Sequence, residues 1–187
     1  GLLPSPSLME RGRGEVLMII KEKIGALKDI NVSERKLDVL TIEWHETGKR
    51  ILHKKTKSGK EVILRFMNES PNFSQDDVLY VDNDSVIAID IQPCEAIVIR
   101  PATRYGMAKL CYEIGNKHLP LFYEDEAVLI PFDAPLFKWL VAGGFSPVKE
   151  HRKLLHQLKT TVSSHAHAGS SGSLFSKILK LTSPAND

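Results

Sequence analysis

Cysteine is scarce in this 187-residue sequence, which contains only Cys94 and Cys111. Two cysteines without a CxxC pair exclude a disulfide framework, a zinc ribbon and a thioredoxin-type motif. No apolar run approaches the ~20 residues that cross a bilayer, and 25 basic residues nearly cancel 23 acidic ones. We therefore expect a soluble, cytoplasmic protein with reduced thiols, without a membrane partner and without an electrostatic reason to bind nucleic acid.

The two ends of the chain lack the periodic apolar pattern of a folded domain. Residues 3–16 contain two prolines and two glycines, and we expect residues 1–17 to form a disordered N-terminal extension. At the other end, residues 168–173 are alanine, glycine and serine, and a short amphipathic stretch follows over residues 174–181. Neither end can bury enough apolar surface to offset its ordering entropy. We expect residues 161–187 to be a flexible tail that carries histidines.

Short β-strand patterns separated by turn residues fill residues 18–92. Alternating and β-branched positions recur about every ten residues, and Ser58-Gly59 is typical of a hairpin turn. Such spacing indicates a small β-sandwich or an open barrel. We predict strands within residues 37–43, 50–56, 61–66, 78–81 and 85–91.

From Pro93 onward the pattern alternates between strands and helices. Thr103 can cap a helix with one apolar face, and Gly115-Asn116 can end that helix in the left-handed conformation. Pro135 opens a second helix. With four strand patterns around them, these helices complete the order β-α-β-β-α-β of ferredoxin-like domains. The fold class is therefore α+β, with an N-terminal all-β domain over residues 18–92 followed by a ferredoxin-like domain over residues 93–160.

Three of the seven histidines occupy positions suited to metal binding. His118 follows a helix-ending glycine in a loop without an evident core face, although a lone loop histidine is more often a plain surface residue. His165 and His167 form an H-x-H pair in a stretch of small residues. In an extended chain such a pair projects to the same side, so that two imidazoles can converge on one ion. The alternative interpretation of this pair is that it is a remnant of a purification tag.

The sequence around His118 resembles the signature of a known family. Residues 111–118 read Cys-Tyr-Glu-Ile-Gly-Asn-Lys-His, which is similar to the E-I-G-N-R-H motif of UreE, the urease accessory metallochaperones. Lys117 stands where arginine is common, so this position keeps the charge but lacks the planar guanidinium. The resemblance covers residues 18–167, and its matching residues in the β-rich domain are Glu43-Trp44, Lys49-Arg50, Thr56, Gly59 and Asp77-Val78-Leu79.

The resemblance implies a nickel-delivery protein rather than an enzyme. It implies a homodimer formed through residues 93–160, in which two copies of His118 meet on one Ni(II) ion and His165 and His167 complete the coordination. It also implies that nickel passes to the urease apoprotein with the accessory GTPase complex, and that residues 18–92 dock on a partner. Zn(II) or Cu(II) can substitute in vitro, because imidazole suits all three ions. Whether dimers pair further stays open, and we expect about one ion per dimer from the ligand count.

Two other classes of function remain as alternatives. An enzyme would use Cys111 as nucleophile and His118 as base, but this spacing places Cys111 inside the helix and no oxyanion loop is evident. A ferredoxin-like RNA- or protein-binding module with incidental metal binding would use the basic residues 148–159, yet residues 96–99 lack stacking aromatics.

Nickel delivery by histidine ligands also predicts a pH dependence. Because metal-bound imidazole must be neutral, we expect the affinity for nickel to fall as the pH drops through about 6.5.

Overall fold

The computed structural model describes residues 7–11 and 15–159 of the chain. In this part of the chain the backbone forms three four-stranded sheets, two α-helices and two short 3-10 turns. Neither of these helices has the length or the apolar character needed to span a lipid bilayer. The protein is thus mixed α+β, with a β-rich region first and the helices in the region that follows.

The N-terminal region is a sandwich of two sheets. One sheet has the order β1 (Ser7–Arg11), β2 (Glu15–Ile20), β6 (Glu61–Arg65) and β5 (Ile51–Lys55). The other has the order β3 (Gly25–Ala26), β7 (Asp77–Val81), β8 (Ser85–Ile91) and β4 (Lys36–Ile42). Apolar side chains that alternate along these strands point between the sheets. They form one shared core that includes Met18, Ile20, Leu40, Ile42, Leu52, Val62, Leu64, Ile87 and Ile89.

Strands β1 and β2 lie partly within the segment for which the sequence predicts disorder. Their backbones pair in antiparallel register, with Ser7 opposite Ile19 and Arg11 opposite Glu15. Because β2 also pairs with β6, β1 extends this sheet by one strand. A sheet edge offers unpaired N–H and C=O groups, so a segment without apolar periodicity can still add to it. Pairing of this kind leaves no signal in a hydrophobic pattern.

The C-terminal region has the element order β-α-β-β-α-β that the sequence predicts. Its elements are β9 (Cys94–Ile99), α1 (Arg104–Asn116), β10 (Phe122–Glu124), β11 (Ala127–Pro131), α2 (Ala134–Ala142) and β12 (Val148–Arg152). The strands have the order β10-β11-β9-β12, and each neighbouring pair is antiparallel.

Both helices begin at a capping side chain and pack on the same face of this sheet. Thr103 accepts a hydrogen bond from the Gly106 amide at 3.0 Å, and Asp133 accepts one from the Leu136 amide at 2.8 Å. These caps satisfy amides that the first helical turn leaves unpaired. The core between the helices and the sheet contains Ile97, Ile99, Leu110, Ile114, Leu121, Val128, Ile130, Leu136 and Leu140.

Residues 153–159, called the strap below, continue the chain beyond β12. Leu154 is buried on the sheet face opposite the helices, together with Ala96, Val98 and Leu129. The strap then reaches the far edge of the sheet, where the Leu158 amide donates a hydrogen bond to the Leu121 carbonyl at 2.8 Å. The chain therefore passes from the β12 edge to the β10 edge before residue 160.

Aromatic and polar contacts hold the sandwich against the C-terminal region. The Trp44 ring meets the Phe122 ring edge to face, with 5.6 Å between centroids. Lys153 of the strap donates a hydrogen bond from Nζ to the Asp90 carboxylate at 2.6 Å. Lys159 donates one to the Asn72 side-chain oxygen at 2.7 Å. The strap thus contacts both regions.

Candidate metal centre

His118 lies in the turn that ends α1. The Leu119 amide donates a hydrogen bond to the Ile114 carbonyl at 3.4 Å, and the His118 amide donates one to the Gly115 carbonyl at 3.0 Å. These two bonds form a Schellman motif, in which the residue after the C-cap adopts the left-handed conformation. His118 is that residue, with φ of +54°, and Lys117 is the C-cap.

The sequence predicts that Gly115-Asn116 ends α1 in the left-handed conformation. The helix does end at Asn116, but both residues are helical and the left-handed residue is His118. The position of the left-handed residue follows from the apolar contact that accompanies a Schellman motif. Ile114 is fully buried, and Leu119 packs against the same core. The helix must therefore continue until Leu119 can turn back onto Ile114, which leaves His118 in the left-handed position.

The conformation of His118 is costly and its side chain is exposed. A left-handed conformation costs an L-residue about 1–2 kcal/mol, although histidine accepts it more often than most residues. Burial does not explain the residue, since the His118 side chain faces solvent. An exposed imidazole in a strained backbone position is a functional hypothesis in its own right.

Electrostatics at this end of α1 favour a cation. The last carbonyls of a helix carry the negative end of its dipole. The side chain of the preceding residue, Lys117, is turned toward α2, where its Nζ lies 4.3 Å from the centroid of the Trp139 ring. The turn therefore presents an imidazole beside partial negative charge, and these features suit a metal cation.

The strap runs close to the His118 turn. Gln157 forms a β-bridge with Phe122, and the Leu158 amide bonds to Leu121, three residues after His118. Residues 160–187, including the predicted ligands His165 and His167, lie outside the described residues. The sequence gives no periodic signal for the strap, because its pairing involves only a few backbone groups.

The other histidines in the described residues have separate surroundings. His45 lies 3.3 Å from the Glu43 carboxylate and His53 lies 3.8 Å from the Glu61 carboxylate, all of them on the sandwich. His156 is exposed beside the Tyr123 ring. Within residues 7–11 and 15–159 of one chain, no three His, Cys, Asp or Glu side chains converge on a common point.

Cys111 is packed as the sequence predicts. Its Sγ lies 4.0 Å from the Met107 Sδ, one helical turn earlier, and both residues contact the helix–sheet core. Burial raises the pKa of the Cys111 thiol. Because the thiolate is the reactive form, this environment suits an inert side chain better than a nucleophile.

Comparison with known proteins identifies clear relatives. The family model for the N-terminal domain of the UreE urease accessory protein matches residues 20–92. The urease accessory protein UreE of Flavobacterium johnsoniae is 44% identical over 164 residues, which are 88% of this chain and 99% of the relative. UreE of Actinobacillus pleuropneumoniae is 40% identical over 77% of this chain and 79% of its own length. UreE of Acetivibrio thermocellus is 35% identical over 82% of this chain and 99% of its own length.

Proposed function

Because the chain belongs to the UreE family of urease accessory proteins, we propose that it binds Ni(II) at His118 and delivers the ion for assembly of the urease active site. The observation that carries this proposal is the exposed His118 imidazole in the strained left-handed turn at the end of α1. A glycine would occupy this backbone position at lower cost. The imidazole therefore has a role that outweighs its conformational cost.

In a homodimer, two copies of His118 supply the first two ligands of the metal site. One imidazole is a weak ligand, and in the described part of one chain His118 belongs to no group of three or more His, Cys, Asp or Glu side chains that could hold an ion. A two-fold axis beside the α1 turn supplies a second copy of His118 without any additional sequence. The C-terminal region forms this interface, and the dimer then binds one ion between its two chains.

The tail histidines complete the coordination. Lys159 is the last described residue, and His165 follows six residues later. Six extended residues span about 20 Å. Because the Leu158 amide bonds to Leu121, close to the His118 turn, this length is sufficient for His165 and His167 to reach the shared ion.

Delivery rather than storage follows from these ligands. Imidazole accepts Ni(II), Zn(II) and Cu(II), so selectivity depends on metal availability and on the recipient. The protein acts as a cytoplasmic carrier and not as an enzyme. Its recipients are the urease apoprotein and the accessory GTPase complex, with the β-sandwich as the docking domain.

The sheet of the C-terminal region argues against an RNA-binding module. Modules of this kind stack bases on exposed aromatic residues of the sheet. Here the face opposite the helices is covered by Trp44 and Leu154, and its own residues Ala96, Val98 and Leu129 are buried. A base could reach this face only if the sandwich and the strap separated from it.

Calorimetric titration with Ni(II), with the mass measured in solution, tests the proposed function. We expect one ion per two chains in the wild type, and a loss of at least tenfold in affinity for His118→Asn, since asparagine tolerates the left-handed conformation. A chain that ends at Ser164 should keep the stoichiometry and bind more weakly. His156→Asn removes another exposed imidazole and serves as the matched control. Unchanged affinity in His118→Asn would contradict the proposal.

A further inference from the structure

A lysine and a tryptophan from separate helices meet beside the candidate metal centre. Lys117 is the C-cap of α1, immediately before His118, and its own side chain is exposed. Its Nζ lies 4.3 Å from the centroid of Trp139, which is on α2 and packs against the helix–sheet core. This geometry is a cation–π contact, for which tryptophan is the best partner.

The position of the Lys117 charge matters if a metal ion binds to the next residue. An ammonium group repels a divalent cation, and its four-carbon stem allows it to approach a neighbouring side chain. In a symmetric dimer, two such groups would flank a shared ion. The ring of Trp139 holds the charge on the α2 side of the turn instead.

We propose that Trp139 is a positioning residue of the metal centre, which keeps the Lys117 ammonium away from the ion that His118 binds. This inference rests on the proposed function. The turn is then fixed at two points: Leu119 packs in the core, and Lys117 lies on Trp139. Between them His118 is presented to the metal with the adjacent charge withdrawn.

The chain contains a matched pair for comparison. Lys109, also on α1, lies over the Phe145 ring with its Nζ 5.7 Å from the centroid. Lys109 precedes His118 by nine residues, or about 13 Å along a helix axis. Disruption of this second pair therefore changes a cation–π contact of the same helix without moving a charge at the metal centre.

Nickel titrations of dimeric full-length protein at low and high salt test the inference. For Trp139→Leu we expect affinity to fall about fivefold at low ionic strength, from the Coulomb repulsion of a released ammonium a few ångströms from a divalent ion. The loss should largely disappear in about 1 M salt, where the screening length is near 3 Å. Trp139→Phe retains an aromatic face and should retain most of the affinity.

The double variant Trp139→Leu/Lys117→Met separates charge from structure. It carries the same change in the core as Trp139→Leu but lacks the ammonium, so wild-type affinity should return. Phe145→Leu should bind nickel like the wild type. The inference is overturned if Trp139→Leu binds normally, if its loss is insensitive to salt, or if the double variant remains weak.

The two proposals fail in different ways. If His118→Asn binds nickel as tightly as the wild type, the proposed metal site is wrong and the role of Trp139 is wrong with it. If His118→Asn loses binding while Trp139→Leu keeps it, only the positioning role is overturned.

Discussion

Replacement of His118 by glycine should separate the metal site from the fold. Most ligand substitutions risk the objection that the protein has lost stability. Here the wild-type residue occupies a left-handed position, with φ of +54°, that glycine adopts without steric cost. We therefore expect His118→Gly to abolish tight nickel binding in a protein that is at least as stable as the wild type.

The expected change in the free energy of unfolding for His118→Gly follows from two opposing effects. Relief of the left-handed strain at His118 favours glycine by about 1–2 kcal/mol. The greater freedom of glycine in the unfolded chain costs about 0.4–1 kcal/mol. The net gain in the free energy of unfolding is about 0.5–1 kcal/mol. His118→Ala keeps the strain, so it should be less stable than His118→Gly by a similar amount while it also loses the metal.

Urea denaturation at one protein concentration, in buffer with a chelator, measures these differences. The chelator is needed because bound metal would stabilise the wild type by mass action. Calorimetric nickel titration of the same preparations supplies the affinity. The reasoning is refuted if His118→Gly is less stable than the wild type by more than about 1 kcal/mol, because the imidazole would then have a packing role. It is also refuted if His118→Gly retains nickel binding, because the imidazole would then have no role in binding the metal.

Two carboxylates should control stability away from the candidate metal centre. Burial raises the pKa of Asp90, but hydrogen bonds from Lys153 and Gln75, together with the positive charges of Lys153 and Lys57, hold this pKa below its usual value. The resulting stability is present above the usual pKa of aspartate and is lost as the pH falls below it. The urea midpoint of Asp90→Asn should therefore fall less steeply than that of the wild type between pH 4.5 and 2.5. An unchanged slope would argue against this ion pair. Asp38 is buried and accepts hydrogen bonds from the Ser58 amide and hydroxyl. Asp38→Asn should lower the free energy of unfolding by about 1–3 kcal/mol, whereas the exposed control Asp84→Asn should change it by less than about 0.5 kcal/mol; equal effects would contradict the reasoning.

Local signals in the sequence predict much of the C-terminal region. Thr103 marks the start of α1, and Pro135 lies in the first turn of α2. The alternation of strand and helix patterns predicts the order β-α-β-β-α-β, which the structure confirms. Such signals succeed because caps, turns and periodic apolar faces depend on residues within a few positions of one another.

The β-sandwich is predicted as a class but not in its strand pairing. Turn spacing indicates short strands, yet β4 pairs with β8 in parallel across a long separation in sequence. The strap escapes prediction for the same reason, because its bonds to Leu121 and Asp90 join distant segments. Pairings of this kind depend on which surfaces remain unsatisfied once the local elements have formed.

The features of the candidate metal centre also differ in whether local sequence or tertiary structure determines them. The residue types of the motif, and the H-x-H pair of the tail, are sufficient in sequence alone to single out His118, His165 and His167 as candidates. The tertiary structure decided that His118, rather than Gly115 or Asn116, takes the left-handed position, since this depends on the contact of Leu119 with the core. It also decided that the charge of Lys117 lies over α2, because a cation–π contact requires two helices to meet.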